Sequence, residues 1–138
     1  PIIMTKHSAL VIEDDPKLGV IFKMALEEAG FEAEVDQSGK HFSARLKNPV
    51  PTLVILDIHL PYASGIDIFE RIKADESWMK AFVIVTTADL FLAKTFENRA
   101  DYVLIKPVSV AKIMRIVNSR WPRQISSDLP SEINNQYE

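Results

Sequence analysis

Leu53-Val54-Ile55-Leu56-Asp57-Ile58-His59-Leu60-Pro61 is the stretch on which the fold of this chain turns. Four consecutive apolar residues leave no polar position for a wet face, so they fit a strand covered by helices on both sides, as in a parallel sheet. The run ends abruptly on a carboxylate, Asp57. Working outward, similar short runs recur at Ala9 to Ile12, Ala33 to Val35, Phe82 to Val85 and Tyr102 to Ile105. The gaps between them leave room for helices, which predicts βαβ units and an α/β fold with helices on both faces. Ala9 to Ile12 and Phe82 to Val85 are apolar throughout, whereas Glu32-Ala33-Glu34-Val35-Asp36 alternates and reads as an edge strand.

Five helices are expected between and after these runs. In the first, Leu18, Phe22, Ala25, Leu26 and Ala29 share one face, Asp15-Pro16 supplies an N-cap and first-turn proline, and Gly30 a stop. His41 to Lys47 gives a short second helix around Phe42 and Leu46, closed by Asn48-Pro49. The third runs from about Gly65 to Asp75 with Ile66, Phe69 and Ile72 inward. The fourth, Leu90 to Asn98, is short and weakly amphipathic; the fifth, Val108 to Arg120, turns Ile113, Ile116 and Val117 inward and ends at Pro122. Trp78 and Trp121 are expected to close core edges. The domain is bounded at 7–121, after an N-terminal extension 1–6 in which Pro1-Ile2-Ile3 reads as a remnant ahead of a natural start at Met4. Residues 122–138 are polar and proline-broken, a tail or the start of a linker.

With 138 residues, 47% hydrophobic and 25% charged, the chain can bury a real core. A net charge of -3 and no basic stripe argue against direct nucleic-acid binding by this chain. The lack of cysteine removes disulfides and Cys-based zinc sites, and no apolar run approaches the roughly 18 to 20 residues of a membrane span. A soluble, cytoplasmic protein with no membrane contact is the expectation.

In an open α/β sheet, ligands bind beyond the carboxyl ends of the strands. There the chain places Glu13-Asp14-Asp15, Asp57, Thr86-Thr87 and Lys106-Pro107. Any one of these could be a cap or a solvated loop residue. Together they supply carboxylates, a hydroxyl and an ammonium, a set suited to phosphoryl chemistry. Clustered carboxylates repel unless a cation compensates, and an oxygen-only donor set suits Mg2+, or Mn2+, better than zinc. An aspartate can itself attack phosphorus to form an acyl phosphate.

The series Val11-Ile12-Glu13-Asp14-Asp15-Pro16, Leu53 to Pro61, Ser64-Gly65, Val85-Thr86-Thr87-Ala88 and Ala100 to Pro107 resembles the response-regulator receiver family over roughly His7 to Trp121. The resemblance implies a flavodoxin-like, doubly wound, five-stranded parallel sheet in the order 2-1-3-4-5. It implies that Asp57 accepts a phosphoryl group from a histidine kinase or histidine phosphotransfer protein, and that the domain catalyses its own phosphorylation and dephosphorylation. Asp14 would bind the metal directly, Glu13 largely through water, Asp57 through its side chain and His59 through its backbone carbonyl. Thr87 and Lys106 match the residues that engage phosphoryl oxygens, Ala88 keeps the approach open, and the Lys106-Pro107 bond is expected to be cis. A phosphorylation-dependent homodimer through the fourth helix, fifth strand and fifth helix is a further expectation.

Two departures accompany the match. The family often has an aromatic three residues before the lysine, as the rotating partner of the threonine; here that place is Val103, with Tyr102 one step earlier on the opposite strand face. The distance from Thr87 to Lys106 is short by most of a helical turn, which puts the deficit near the fourth helix and predicts an unusual output surface. His59 is open to two readings, a tuner of dephosphorylation at the site mouth or an exposed loop histidine used only through its backbone. Asp89 could line the entrance but reads better as a helix cap, as does Asp15; Thr86 is assigned to the strand, and His7 and His41 to solvent. A flavodoxin would need a Ser/Thr/Gly-rich cradle where the acids are, and a haloacid-dehalogenase-type phosphatase a second aspartate at His59. A receiver-like module that only binds partners is the remaining rival. A freestanding receiver and one excised from a larger regulator or hybrid kinase are equally compatible with the sequence.

Overall fold

A computed structural model describes residues 7–42 and 49–122. Five parallel strands, β1 (Ser8–Ile12), β2 (Glu32–Asp36), β3 (Leu53–Asp57), β4 (Phe82–Thr87) and β5 (Tyr102–Ile105), form one sheet in the order β2-β1-β3-β4-β5. Four helices among the described residues accompany them: α1 (Pro16–Glu28), α2 (Gly65–Ala74), α3 (Leu90–Phe96) and α4 (Val110–Arg120). The expected helix over His41 to Lys47 lies, beyond Phe42, outside the described residues, as do the extension 1–6 and the tail from 123.

Strand alternation divides the apolar side chains between two cores. Leu10, Ile12, Val54, Leu56, Val83 and Val85 face α2 and Phe96 of α3; Ala9, Val11, Leu53, Ile55, Ile84 and Leu104 face α1 and α4. Every residue of β3 is buried, as its unbroken apolar run requires, while β2 alternates at the sheet edge.

The caps work as expected. Asp15 accepts the N–H groups of Lys17 and Leu18 ahead of Pro16, and Gly30 leaves α1 with φ +97°, a conformation that costs glycine little. α2 differs in its buried face: Ile66 is 40% exposed, and Ile68 goes inward beside Phe69 and Ile72. Gly65, Ile68, Phe69 and Ile72 repeat at the i, i+3, i+4, i+7 spacing, which leaves no inward place for Ile66. α4 begins at Val110 because Ser109 caps it by accepting the Lys112 N–H, and α3 stops at Phe96, short of Asn98. Trp78 lies deep in the α2-side core, its ring edge-on to Phe42 at 5.3 Å, instead of at an edge. Trp121 does close an edge, against Phe31 and Phe82, and His7, though exposed, lies beside the rings of Phe31 and Trp121.

Gly65 is needed for a steric reason. A Cβ there would come within 2.5 Å of the Ile58 carbonyl oxygen and 2.7 Å of that of Asp57. The start of α2 therefore packs directly on the backbone at the end of β3, where Asp57 closes the strand and the loop to His59 begins.

Candidate functional site

The polar residues expected at the strand ends converge. Glu13 and Asp14 follow β1, Asp57 closes β3, Thr87 closes β4 and Lys106 follows β5. Carboxylate oxygens of Glu13, Asp14 and Asp57 lie within 4.8 Å of one another. The Lys106 ammonium sits 2.9 Å from Asp57 Oδ2, 3.1 Å from Glu13 Oε1 and 3.4 Å from Glu13 Oε2. The Asp15 N–H donates to Glu13 Oε2 and the His59 N–H to Asp57 Oδ1, so backbone donors help hold both carboxylates.

Burial sets the electrostatics. Glu13 is 1% exposed and Asp57 2%, while Asp14 is open to solvent. Desolvation pushes Glu13 up from 4.5 to about 7, with the Asp57 charge adding to the effect and the Asp15 N–H and Lys106 opposing it. Partial burial would raise Asp14 too, but hydrogen bonding with Glu13 and Asp57 and the Lys106 charge outweigh it and hold that carboxyl below its usual value. Desolvation acts to lower Lys106, yet Asp57 and then Glu13 hold its ammonium above the ordinary lysine value. Three carboxyls share one ammonium, so the cluster has room for further positive charge.

Thr87 is fully buried, and its hydroxyl accepts the Asp89 N–H at 3.0 Å while lying 3.1 Å from His59 Nε2. Asp89 in turn caps α3 by accepting from Phe91 and Leu92, the role expected of it. Ala88 is exposed beside this turn. Thr86 belongs to β4, paired with Asp57, and its buried hydroxyl has no hydrogen-bond partner among the described residues. Val103 packs against the α2-side core and Tyr102 stands beside Phe82, 6.1 Å between ring centroids, so the aromatic lies on the other face of the sheet from Val103. The Lys106-Pro107 peptide is cis. The contact that sequence reasoning did not find is the one between the His59 and Thr87 side chains; they are 28 positions apart and share no local pattern.

A family model described as the response regulator receiver domain matches residues 9–118. The DNA-binding response regulator MtrA of Mycolicibacterium smegmatis is 28% identical over 128 residues, covering 93% of this chain and 55% of that protein. The phosphate regulon transcriptional regulatory protein PhoB of Rhizobium meliloti is 30% identical over 116 residues, 82% of this chain and 51% of that protein. The chain thus spans about half the length of these curated relatives. Among solved structures, a CheY-like receiver domain from Methylobacillus flagellatus aligns with a TM-score of 0.72 at 25% identity, covering 83% of this chain and 98% of that one. The signal receiver domain of a signal transduction histidine kinase from Syntrophus aciditrophicus aligns with a TM-score of 0.69 at 26% identity, covering 89% and 98%. No helix among the described residues is long and apolar enough to cross a membrane. A family match over most of the chain, on a sheet of the order that family was expected to have, makes this a member of the response regulator receiver family of two-component systems.

Proposed function

We propose that Asp57 is the phosphoacceptor of this receiver, taking a phosphoryl group from the phosphohistidine of a histidine kinase or histidine phosphotransfer protein. The observation that carries this reading is the meeting of Asp57 Oδ2 with the Lys106 ammonium at 2.9 Å, in a cluster where Glu13 and Asp14 also converge. A carboxylate oxygen of Asp57 forms the new bond to phosphorus as the donor's P–N bond breaks and the imidazole departs. Lys106 faces the developing charge as a point cation, the Thr87 hydroxyl donates to a phosphoryl oxygen, and Ala88 leaves the approach open. The same residues return the domain to its resting state when water attacks the acyl phosphate.

Glu13, Asp14 and Asp57, with the His59 backbone carbonyl, would hold Mg2+ or Mn2+. Their all-oxygen donor set and excess of carboxyl over ammonium groups fit a hard divalent cation. When bound, the ion supplies neutralisation of the carboxylates and of the incoming phosphoryl oxygens.

The domain bounds 7–121, a tail or linker from 122, and a cytoplasmic location belong to the same reading. Phosphorylation biases two arrangements of β4, β5 and their helices. The surface of α3, β5 and α4, with Leu90, Phe91, Tyr102 and Ile105 exposed, is the route to a phosphorylation-dependent homodimer. Direct nucleic-acid contact is not part of the reading, because this chain has a net charge of -3. Labelling with acetyl phosphate tests it, following mass and oligomeric state together with and without Mg2+. The parent takes up one metal-dependent phosphoryl group and Asp57→Asn takes up none; label on the variant at the parent's level would overturn the assignment.

A further inference from the structure

The His59 imidazole reaches across the site mouth from the β3 loop to the end of β4. Its Nε2 lies 3.1 Å from the Thr87 hydroxyl. The His59 backbone is held on both sides of this contact, by its N–H bond to Asp57 Oδ1 at 2.9 Å and by a bridge to Ser64, the N-cap of α2. Thr87 is held as firmly, wholly buried at the end of β4.

A threonine hydroxyl offers one hydrogen and two lone pairs. The Asp89 N–H occupies a lone pair. The hydrogen needs an acceptor, because a buried donor left unpaired is costly. Among the described residues the imidazole is the acceptor within reach. A neutral ring with its proton on Nδ1 satisfies Thr87 fully, whereas the other tautomer would leave the hydroxyl hydrogen without a partner.

We propose that His59 is a positioning residue that holds the Thr87 hydroxyl hydrogen in the resting state, so that His59 and a phosphoryl group on Asp57 compete for one donor. The inference rests on the phosphoacceptor role of Asp57. Phosphorylation then breaks the His59–Thr87 bond and releases the imidazole at the site mouth. This gives the chain a moving partner for Thr87 from the β3 side, where the β5 side offers none: Val103 is aliphatic and Tyr102 lies against Phe82 on the opposite face. An imidazole tethered in this way does more than line the entrance, since it sets how readily Thr87 turns to the phosphoryl group.

The test is nitrogen NMR of the imidazole in the full chain, at rest and with Mg2+ and beryllofluoride as the phosphoryl mimic. In the resting, metal-free protein, Thr87→Val removes the hydroxyl at nearly constant volume, and the His59 Nε2 resonance moves away from its hydrogen-bonded position. Beryllofluoride moves the parent's Nε2 signal toward that same position. His59→Ala, which leaves the backbone N–H to Asp57 in place, binds beryllofluoride about two- to tenfold more tightly, the worth of one neutral hydrogen bond. His59→Gln, whose amide oxygen can accept the same hydrogen, falls between the parent and the alanine variant. An Nε2 signal indifferent to Thr87→Val, or unmoved while beryllofluoride is bound, overturns the competition and leaves the phosphoacceptor role intact. Weaker binding by His59→Ala overturns it as well. A parent that binds no beryllofluoride overturns the phosphoacceptor role, and this inference with it.

Discussion

Asp57 closes a strand in which every residue is buried and which has β1 on one side and β4 on the other, whereas β5 has a single neighbour and leaves Tyr102 and Ile105 exposed at the sheet edge. α3 beside it has seven residues, of which Ala93 and Phe96 are buried; Leu90 is 72% exposed and Phe91 79%. The chemical end of the molecule is held by the centre of the core. The edge is held by one ladder, by Leu104 and Val103 reaching into the two cores, by the Asp101 carboxylate accepting the Val83 N–H, and by the ring of Phe96 against Phe69 and the exposed Arg99–Glu70 pair at 2.7 Å. A site that must place several charged groups to within a fraction of an ångström benefits from the first kind of support. The change of arrangement proposed for the edge fits the second, because only weakly held segments move at small cost.

Truncation separates the two regions most sharply. Leu56→Ala, directly beneath Asp57 and fully buried, is expected to cost about 4 kcal/mol by denaturant unfolding, against less than about 1 kcal/mol for Ile105→Ala at the edge. Equal losses would break the comparison. The next effect comes from pH. Glu13 is pushed up from 4.5 to about 7, chiefly by burial, so the folded protein holds this proton more tightly than the unfolded chain. Its contribution, at most about 3 kcal/mol, is complete below the unfolded value and is lost as pH rises through the folded one. Asp14 is shifted the other way, and its contribution is lost as pH falls through its folded value. Metal-free thermal unfolding should therefore show stability falling between pH 4.5 and 7. Glu13→Gln should flatten that fall, and Mg2+ should raise the midpoint more above this window than below it.

At the edge the effects shrink. Asp89→Ala removes the cap of α3 and is expected to cost about 1 kcal/mol, read as faster amide exchange confined to Phe91 through Phe96. Arg99→Ala breaks an exposed ion pair and a stacking contact on Phe69, and should lower the thermal midpoint slightly, by less at high salt than at low salt.

Much of this architecture was legible because it rests on local properties. The apolar runs of β1, β3 and β4 marked strands with two dry faces, and Asp15 and Asp89 cap the helices that follow them. The residues at the strand ends were legible as a set, and the resemblance supplied the sheet order that periodicity could not. Ile66 was misplaced because a short helix with isoleucines at both 66 and 68 offers two apolar faces, and only packing against the sheet selects one. Trp78 looked like an edge residue because it lies among polar neighbours in a turn, yet its ring reaches into the core. The His59 contact was invisible, since its partner comes from another strand.

By itself the sequence determined the α/β alternation and which acids, hydroxyl and ammonium end the strands, because the apolar period and the residue after each run are features of single segments. Only the tertiary structure decided that Glu13 loses its water while Asp14 keeps it, that Lys106 joins Asp57 and Glu13, and that the His59 imidazole meets the Thr87 hydroxyl. Those outcomes depend on how segments far apart in the chain pack, and on which polar groups that packing leaves with no partner but one another.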